Sequence, residues 1–159
     1  MTKEDIFAAI GCFFNEAPVT QLLTQFNISE KPRLPRNDDV AYLSDKVKGI
    51  EVAFTDASTL DEPFASARSY PEGALVLTSV DFFGRPGRKF AVYQGELPVE
   101  LRFGMSRKDV EKLLGPADDE AMDGDIAKWI DGHKCVVCEF DEDALTQVSC
   151  QMALASDLE

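Results

Sequence analysis

A short apolar helix pattern followed by a run of strands occurs twice in this chain, and that recurrence limits the possible fold more than any other feature. Val19-x-x-Leu22-Leu23 matches Val110-x-x-Leu113-Leu114. Tyr42 and Trp129 each open a strand pattern, Phe54 and Phe140 each close the next, and Ala74-Leu75 and Ala144-Leu145 each begin a last one. Apolar residues three and four apart make one face of a helix, whereas alternation makes one face of a sheet. The spacing between matched positions is roughly 90 residues in the helix and shortens later, which describes a tandem pair rather than a solenoid. Any short helix ahead of antiparallel strands shares part of this pattern. The expected fold is α+β, with two tandem helix-plus-antiparallel-sheet units, residues 1–95 and 96–159, sharing one compact domain. Their helices are expected on one face of the sheet. A chain of 159 residues buries roughly 70% of its unfolded surface and needs neither disulfide nor metal to fold.

Local signals set the expected elements. Thr2-Lys-Glu-Asp5 forms a capping signal before Ile6, Phe7, Ile10, Phe13 and Phe14 at helical spacing. A second helix is expected over 18–25, and Pro32 and Pro35 then force an extended link. Strands are expected over 40–43, 49–54 and 74–83, with a short returning strand over 90–93 after the turn Gly84-Arg-Pro-Gly87. The polar stretch 55–73, with Asp56, Asp61 and Glu62, reads as a loop. In the second half Ser106 can cap a helix with Asp109 at its third position, and Gly115-Pro116 stops it. Val110, Leu113 and Leu114 are expected to face the sheet. Strands over 127–130, 134–140 and 145–154 follow.

Few residues offer chemistry. Cys12, Cys135, Cys138 and Cys150 are expected as reduced thiols. Cys135-Val-Val-Cys138 has knuckle spacing, but a zinc site wants four ligands and the chain holds a single histidine, His133. In a strand, residues three apart also point to opposite faces. No metal and no cofactor are therefore expected. No nucleophile-elbow, zinc-protease, phosphate-loop or dinucleotide motif is present, and His133 beside Gly132 reads as a turn residue. Acid pairs such as Asp118-Asp119 could do acid–base work, but they sit in turn-rich stretches where a solvated surface explains them. The expectation is a non-enzyme.

Charge narrows the partner. The net charge is −13, which argues against nucleic acid and anionic membranes, both negative. The opening MTKEDIFAAIGCFF has no signal-peptide pattern, so a cytoplasmic location is expected. Residues 1–95 carry 10 basic and 13 acidic side chains, and residues 96–159 carry 6 and 16. If strands 127–130 and 134–140 form a hairpin, the loops around 117–125 and 141–143 fall at one end of the sheet. Asp118, Asp119, Glu120, Asp123, Asp125, Asp141, Glu142 and Asp143 would then make one patch, able to steer a basic protein partner. Acidity that only keeps the chain soluble explains the same composition.

The stretch Leu97-Pro98-x-x-Leu101-Arg102-Phe103-Gly104-Met105-Ser106-x-x-Asp109-Val110-x-x-Leu113-Leu114-Gly115-Pro116, then Trp129 and Phe140-Asp141, resembles the repeat unit of BLIP-like and SmpA/OmlA-like small bacterial domains. The detailed likeness covers about 20 residues and the looser pattern most of the chain. The resemblance implies a helix leading into a short antiparallel sheet, often in tandem. It also implies a function: tandem versions serve as protein inhibitors and as immunity proteins of contact-dependent toxin systems, and single units serve in lipoproteins that assist outer-membrane assembly. Cys12 falls inside an expected helix rather than at a lipid-accepting N-terminus, which favours the cytoplasmic inhibitor over the assembly or scaffold module. The motif's own residues encode helix start, face and stop. Binding residues are expected in the acidic loops, facing a cognate toxin domain, whose active face must be basic if it is a nuclease.

Overall fold

Thr2 and Asp5 exchange reciprocal hydrogen bonds that start α1 (Lys3–Ala9) in the computed structural model, which describes residues 2–60, 64, 68–87 and 89–158. The helix ends before Phe13 and Phe14, contrary to the apolar spacing. Gly11 adopts φ 89°, a left-handed value that turns the chain out of the helix. Gly11 and Phe14 then donate their N–H groups to the carbonyls of Leu77 and Leu75, and Phe13 bridges Val76. Helix α2 (Ala17–Gln25) carries Pro18 in its first turn, where no backbone donor is lost, and buries Val19, Leu22 and Leu23.

Strands β1 (Val40–Asp45), β2 (Ile50–Asp56) and β3 (Leu75–Phe83) follow, then α3 (Arg107–Leu114) and β4 (Asp119–Ala121), β5 (Ile126–Asp131), β6 (Lys134–Asp141) and β7 (Ala144–Met152). They form one seven-stranded sheet in the order β1-β2-β3-β7-β6-β5-β4, with every pairing antiparallel. Each half is a meander, and β3 and β7 join them with Val80 opposite Cys150, Ser79 opposite Gln151 and Asp81 opposite Ser149. Both the α+β class and the antiparallel sheet agree with the sequence reading.

Alternation divides the sheet into two unlike faces. Leu43, Val52, Val80, Cys150, Val136 and Trp129 stand opposite one another from strand to strand, and all are buried. They share one apolar cluster with Ile6, Phe7 and Ile10 and with the buried side of α2. The adjacent row, on the other face, is polar: Ser44, Glu51, Asp81, Ser149, then Val137 and Lys128. A four-residue helical turn, Ala155–Leu158, closes one end of this second face, where Asp157 holds Lys128 at 3.1 Å. At the opposite end Phe90 stacks on Phe83, ring centres 4.3 Å apart.

Three local expectations are corrected. Residues 90–93 form no strand, because both edges of β3 are already paired. The segment instead crosses the β1–β2 hairpin, with Ala91 bonded to Lys46 and Tyr93 to Phe83. That crossing needs Gly49, where a Cβ would lie 2.3 Å from the Ala91 carbonyl oxygen. Leu113 does not face the sheet: it is 39% exposed, whereas Val110 is fully buried and Leu114 only partly so. An eight-residue helix meeting its neighbours along one narrow line has no room to sink three large side chains. The stretch expected as an acidic loop contains β4, paired along β5. Of the polar stretch 55–73, Asp56 caps a short helical turn through Ser58, and Asp61 and Glu62 lie outside the described residues. No helix among the described residues is long and apolar enough to cross a membrane.

Candidate functional site

The acidic loops are organised around one arginine that the sequence reading did not single out. Arg107 opens α3, and its side chain is only 18% exposed. Its guanidinium pairs with Glu120, donates from Nη1 to the Gly124 carbonyl at 3.0 Å and lies over the rings of Trp129 and Phe140. Nε sits 3.0 Å from Glu111 Oε1, close enough for an ion pair but off line for a hydrogen bond. The Arg107 backbone N–H donates to Asp143 Oδ1 at 3.0 Å, which ties the β6–β7 turn to the start of the helix. A concavity of about 420 Å³ opens there, lined by Arg107, Glu111, Glu120, Asp123, Asp125 and Asp143.

Glu120, Asp123, Asp125, Asp141, Glu142 and Asp143 thus gather near one end of the sheet, as the hairpin argument expects. Asp118 and Asp119 lead into β4 and run back along β5, away from that end. Several of these carboxylates also have structural work. Asp118 accepts the Ile130 N–H at 2.6 Å, Asp119 accepts the Glu120 N–H at 2.9 Å, and Asp141 pairs with Arg85. Glu142 and Asp143 form the two-residue turn between β6 and β7 with φ 50° and 61°, left-handed values that aspartate tolerates better than most side chains. Asp123, Asp125 and Glu142 have no side-chain partner among the described residues.

A second acidic surface lies mid-sheet on the polar face. Glu51 on β2 and Asp81 on β3 are directly opposite, and Glu139 projects from β6 on the same face. Asp81 is held up at a pKa of about 6, first by burial and then by the charges of Glu51 and Glu139, against the lowering effect of the Ser149 hydroxyl. Among the described residues no basic side chain pairs with Asp81. The available signal was the pair of charged residues flanked by buried ones, Ile50-Glu51-Val52 and Val80-Asp81-Phe82. Their meeting depends on strand order, which the sequence does not spell out.

The cysteines occupy the sheet as apolar side chains do. Cys138 and Cys150 lie on the core face and Cys135 on the other, so the two sulfurs of the CxxC stretch do not converge. Burial pushes the Cys135 thiol up to about 11 and Cys138 to about 12, and raises Cys150 as well. His133 sits exposed in the β5–β6 turn, and its carbonyl accepts the Ala153 N–H. No family model, curated protein or solved structure matches the chain.

Proposed function

We propose that this protein is a non-enzymatic inhibitor that works by binding another protein: a cytoplasmic immunity protein that neutralises a cognate toxin domain through carboxylates. The observation that carries this reading is Asp81. Three carboxylates held together in the middle of a sheet, one of them largely desolvated, oppose folding, and apolar or neutral residues would pack there without that cost. A cation supplied by a partner relieves the repulsion, so what weakens the free protein strengthens the complex. The Arg107 loops add a second acidic area that steers a basic surface during approach. A nuclease toxin fits this chemistry because its active face must attract phosphate.

We also read the chain as two related units, 1–95 and 96–159, with a pseudo-twofold between β3 and β7. The shift that carries Ala74-Leu75 onto Ala144-Leu145 carries Val80 onto Cys150, Ser79 onto Ser149 and Asp81 onto Gln151. Val80 and Cys150, matched by that shift, also stand directly opposite each other within the β3–β7 ladder. Two copies of one unit, paired through equivalent strands, place a matched pair at their axis in this way.

The test is purification of the tagged protein from its native cell beside the Asp81→Asn, Glu51→Gln double variant. The wild type is expected to retain a basic protein whose enzymatic activity it suppresses at equimolar ratio, and the variant to suppress it far less. An acidic retained partner, or full suppression by the variant, overturns the reading.

A further inference from the structure

A groove of about 1250 Å³ runs between the start of α1, the segment 95–105 and the outer side of α3. Its floor is apolar: Val99, Phe103 and Met105 are half-buried there, and Leu113 is left exposed. Val99 and Glu100 hold φ values of 60° and 59°. A β-branched residue in that left-handed region is strained, and such strain collects at sites that hold ligands.

The charges around the groove are unequal once internal pairs are removed. Lys3 is engaged by Asp131 at 3.1 Å and Lys112 by Asp109 at 3.7 Å. Glu4, Glu96 and Glu100 have no cationic partner among the described residues, and only Arg102 stands against them as an unengaged cation. An apolar floor under an acidic rim suits a segment with one apolar and one basic side. Size points the same way. Two turns of a helix about 11 Å across occupy about 1000 Å³, whereas small-ligand pockets run from about 300 to 1000 Å³ and are far more enclosed. A second copy of this chain is a poor occupant, since each copy carries a net charge of −13.

We propose that this groove seats an amphipathic helix of a partner protein, its apolar ridge against Leu113, Val99 and Phe103 and its Lys- or Arg-bearing flank along Glu96 and Glu100. The surface is separate from the mid-sheet carboxylates and does not depend on the inhibitor reading.

The probe is a fluorescein-labelled amphipathic peptide of Leu and Lys, about four helical turns long, with a second peptide in which Glu replaces every Lys. Fluorescence anisotropy with the full chain is expected to show binding of the Lys peptide and not of the Glu peptide. Leu113→Asp should weaken the Lys peptide at least about tenfold, even though it adds a negative charge. Neutralising Glu96 and Glu100 to Gln should weaken it more than the charge-matched Asp123→Asn, Asp125→Asn pair, which lies outside the groove. Equal weakening by the two neutralised pairs would mean that net charge alone attracts the peptide, and it overturns the proposal. So does undiminished binding to Leu113→Asp. Should that variant fail to fold, the comparison of the two neutralised pairs decides, and unchanged binding after loss of Glu96 and Glu100 refutes the groove. Asp81→Asn should leave the peptide's affinity unchanged, and a loss there moves the binding to the sheet face and overturns the assignment.

Discussion

Helices α1 and α2 bring Ile6, Phe7, Val19, Leu22 and Leu23 into one buried cluster with Phe54 and Phe82, whereas α3 buries only Val110 completely. What α3 lacks in apolar contact it replaces with polar ties. Ser106 caps its start, Arg107 binds three separate segments, and the Trp129 indole donates to the Gly115 carbonyl at its end. Each fully buried apolar side chain contributes about 1.5–3 kcal/mol, while an ion pair with a half-exposed carboxylate contributes about 0–1 kcal/mol. Helices α1 and α2 are therefore held by packing. Around α3 the polar ties fix geometry, and the second half draws its buried core from the strands instead, with Trp129, Val136, Phe140, Leu145 and Val148 among the buried residues. One sheet thus carries two helices anchored by packing and a third anchored by a largely buried arginine.

Substitutions can break this contrast. The largest effect is expected for Phe54→Ala, which empties a fully buried ring site and should cost about 3–5 kcal/mol in urea denaturation. Arg107→Met keeps the stem over Trp129 and the backbone N–H that serves Asp143 but takes the guanidinium away from Glu111, Glu120 and the Gly124 carbonyl, and it should cost about 1–3 kcal/mol, shrinking as salt is raised. A loss as large as that of Phe54→Ala would show that the second half depends on its arginine as heavily as the first depends on its core.

Asp81 sharpens the comparison in the opposite direction. Its folded carboxyl titrates near 6 against an ordinary value of 3.8, so the folded chain holds the proton more tightly than the unfolded one. Acidification from about pH 6 towards 4 therefore favours the fold, and stability falls as pH rises through 6. Asp81→Asn should raise stability by on the order of 2 kcal/mol at pH 8, with the gain vanishing below pH ~4. Melting curves across that range test it, and a pH-independent gain would remove the electrostatic explanation. The smallest effect is expected at Leu113, where alanine should cost less than about 1 kcal/mol, against about 1–3 kcal/mol for Val110→Ala. Equal costs would restore the broad buried face expected of α3 from its sequence.

The local features legible in the chain share a cause. The Thr2–Asp5 and Ser106 caps, Pro18 in a first turn, and the alternation of Ile50, Val52 and Phe54 are properties of a few consecutive residues. They survive whatever surrounds them. The errors at Phe13, Phe14 and Leu113 have causes as well: Gly11 turns the chain out of the helix and onto β3 before the two phenylalanines, and at Leu113 apolar spacing reports that a side chain wants cover, not whether a neighbour stands close enough to give it. The acidic end was legible because the β5–β6 hairpin is local, and a hairpin brings its flanking loops together by geometry alone.

The cluster of Glu51, Asp81 and Glu139 belongs to another category. It needs β2, β3, β7 and β6 side by side in one register, and a slip of one residue in any pairing would send a carboxylate to the opposite face. Arg107 likewise reads as one more exposed basic residue in a helix start until the turns at Gly124 and Asp143 close around it. Element type, strand alternation and overall charge follow from bonds and side chains adjacent along the chain. Which charges meet, which go unpaired, and which apolar residue is left facing water depend on contacts between distant segments, whose energies exist only once the sheet has closed.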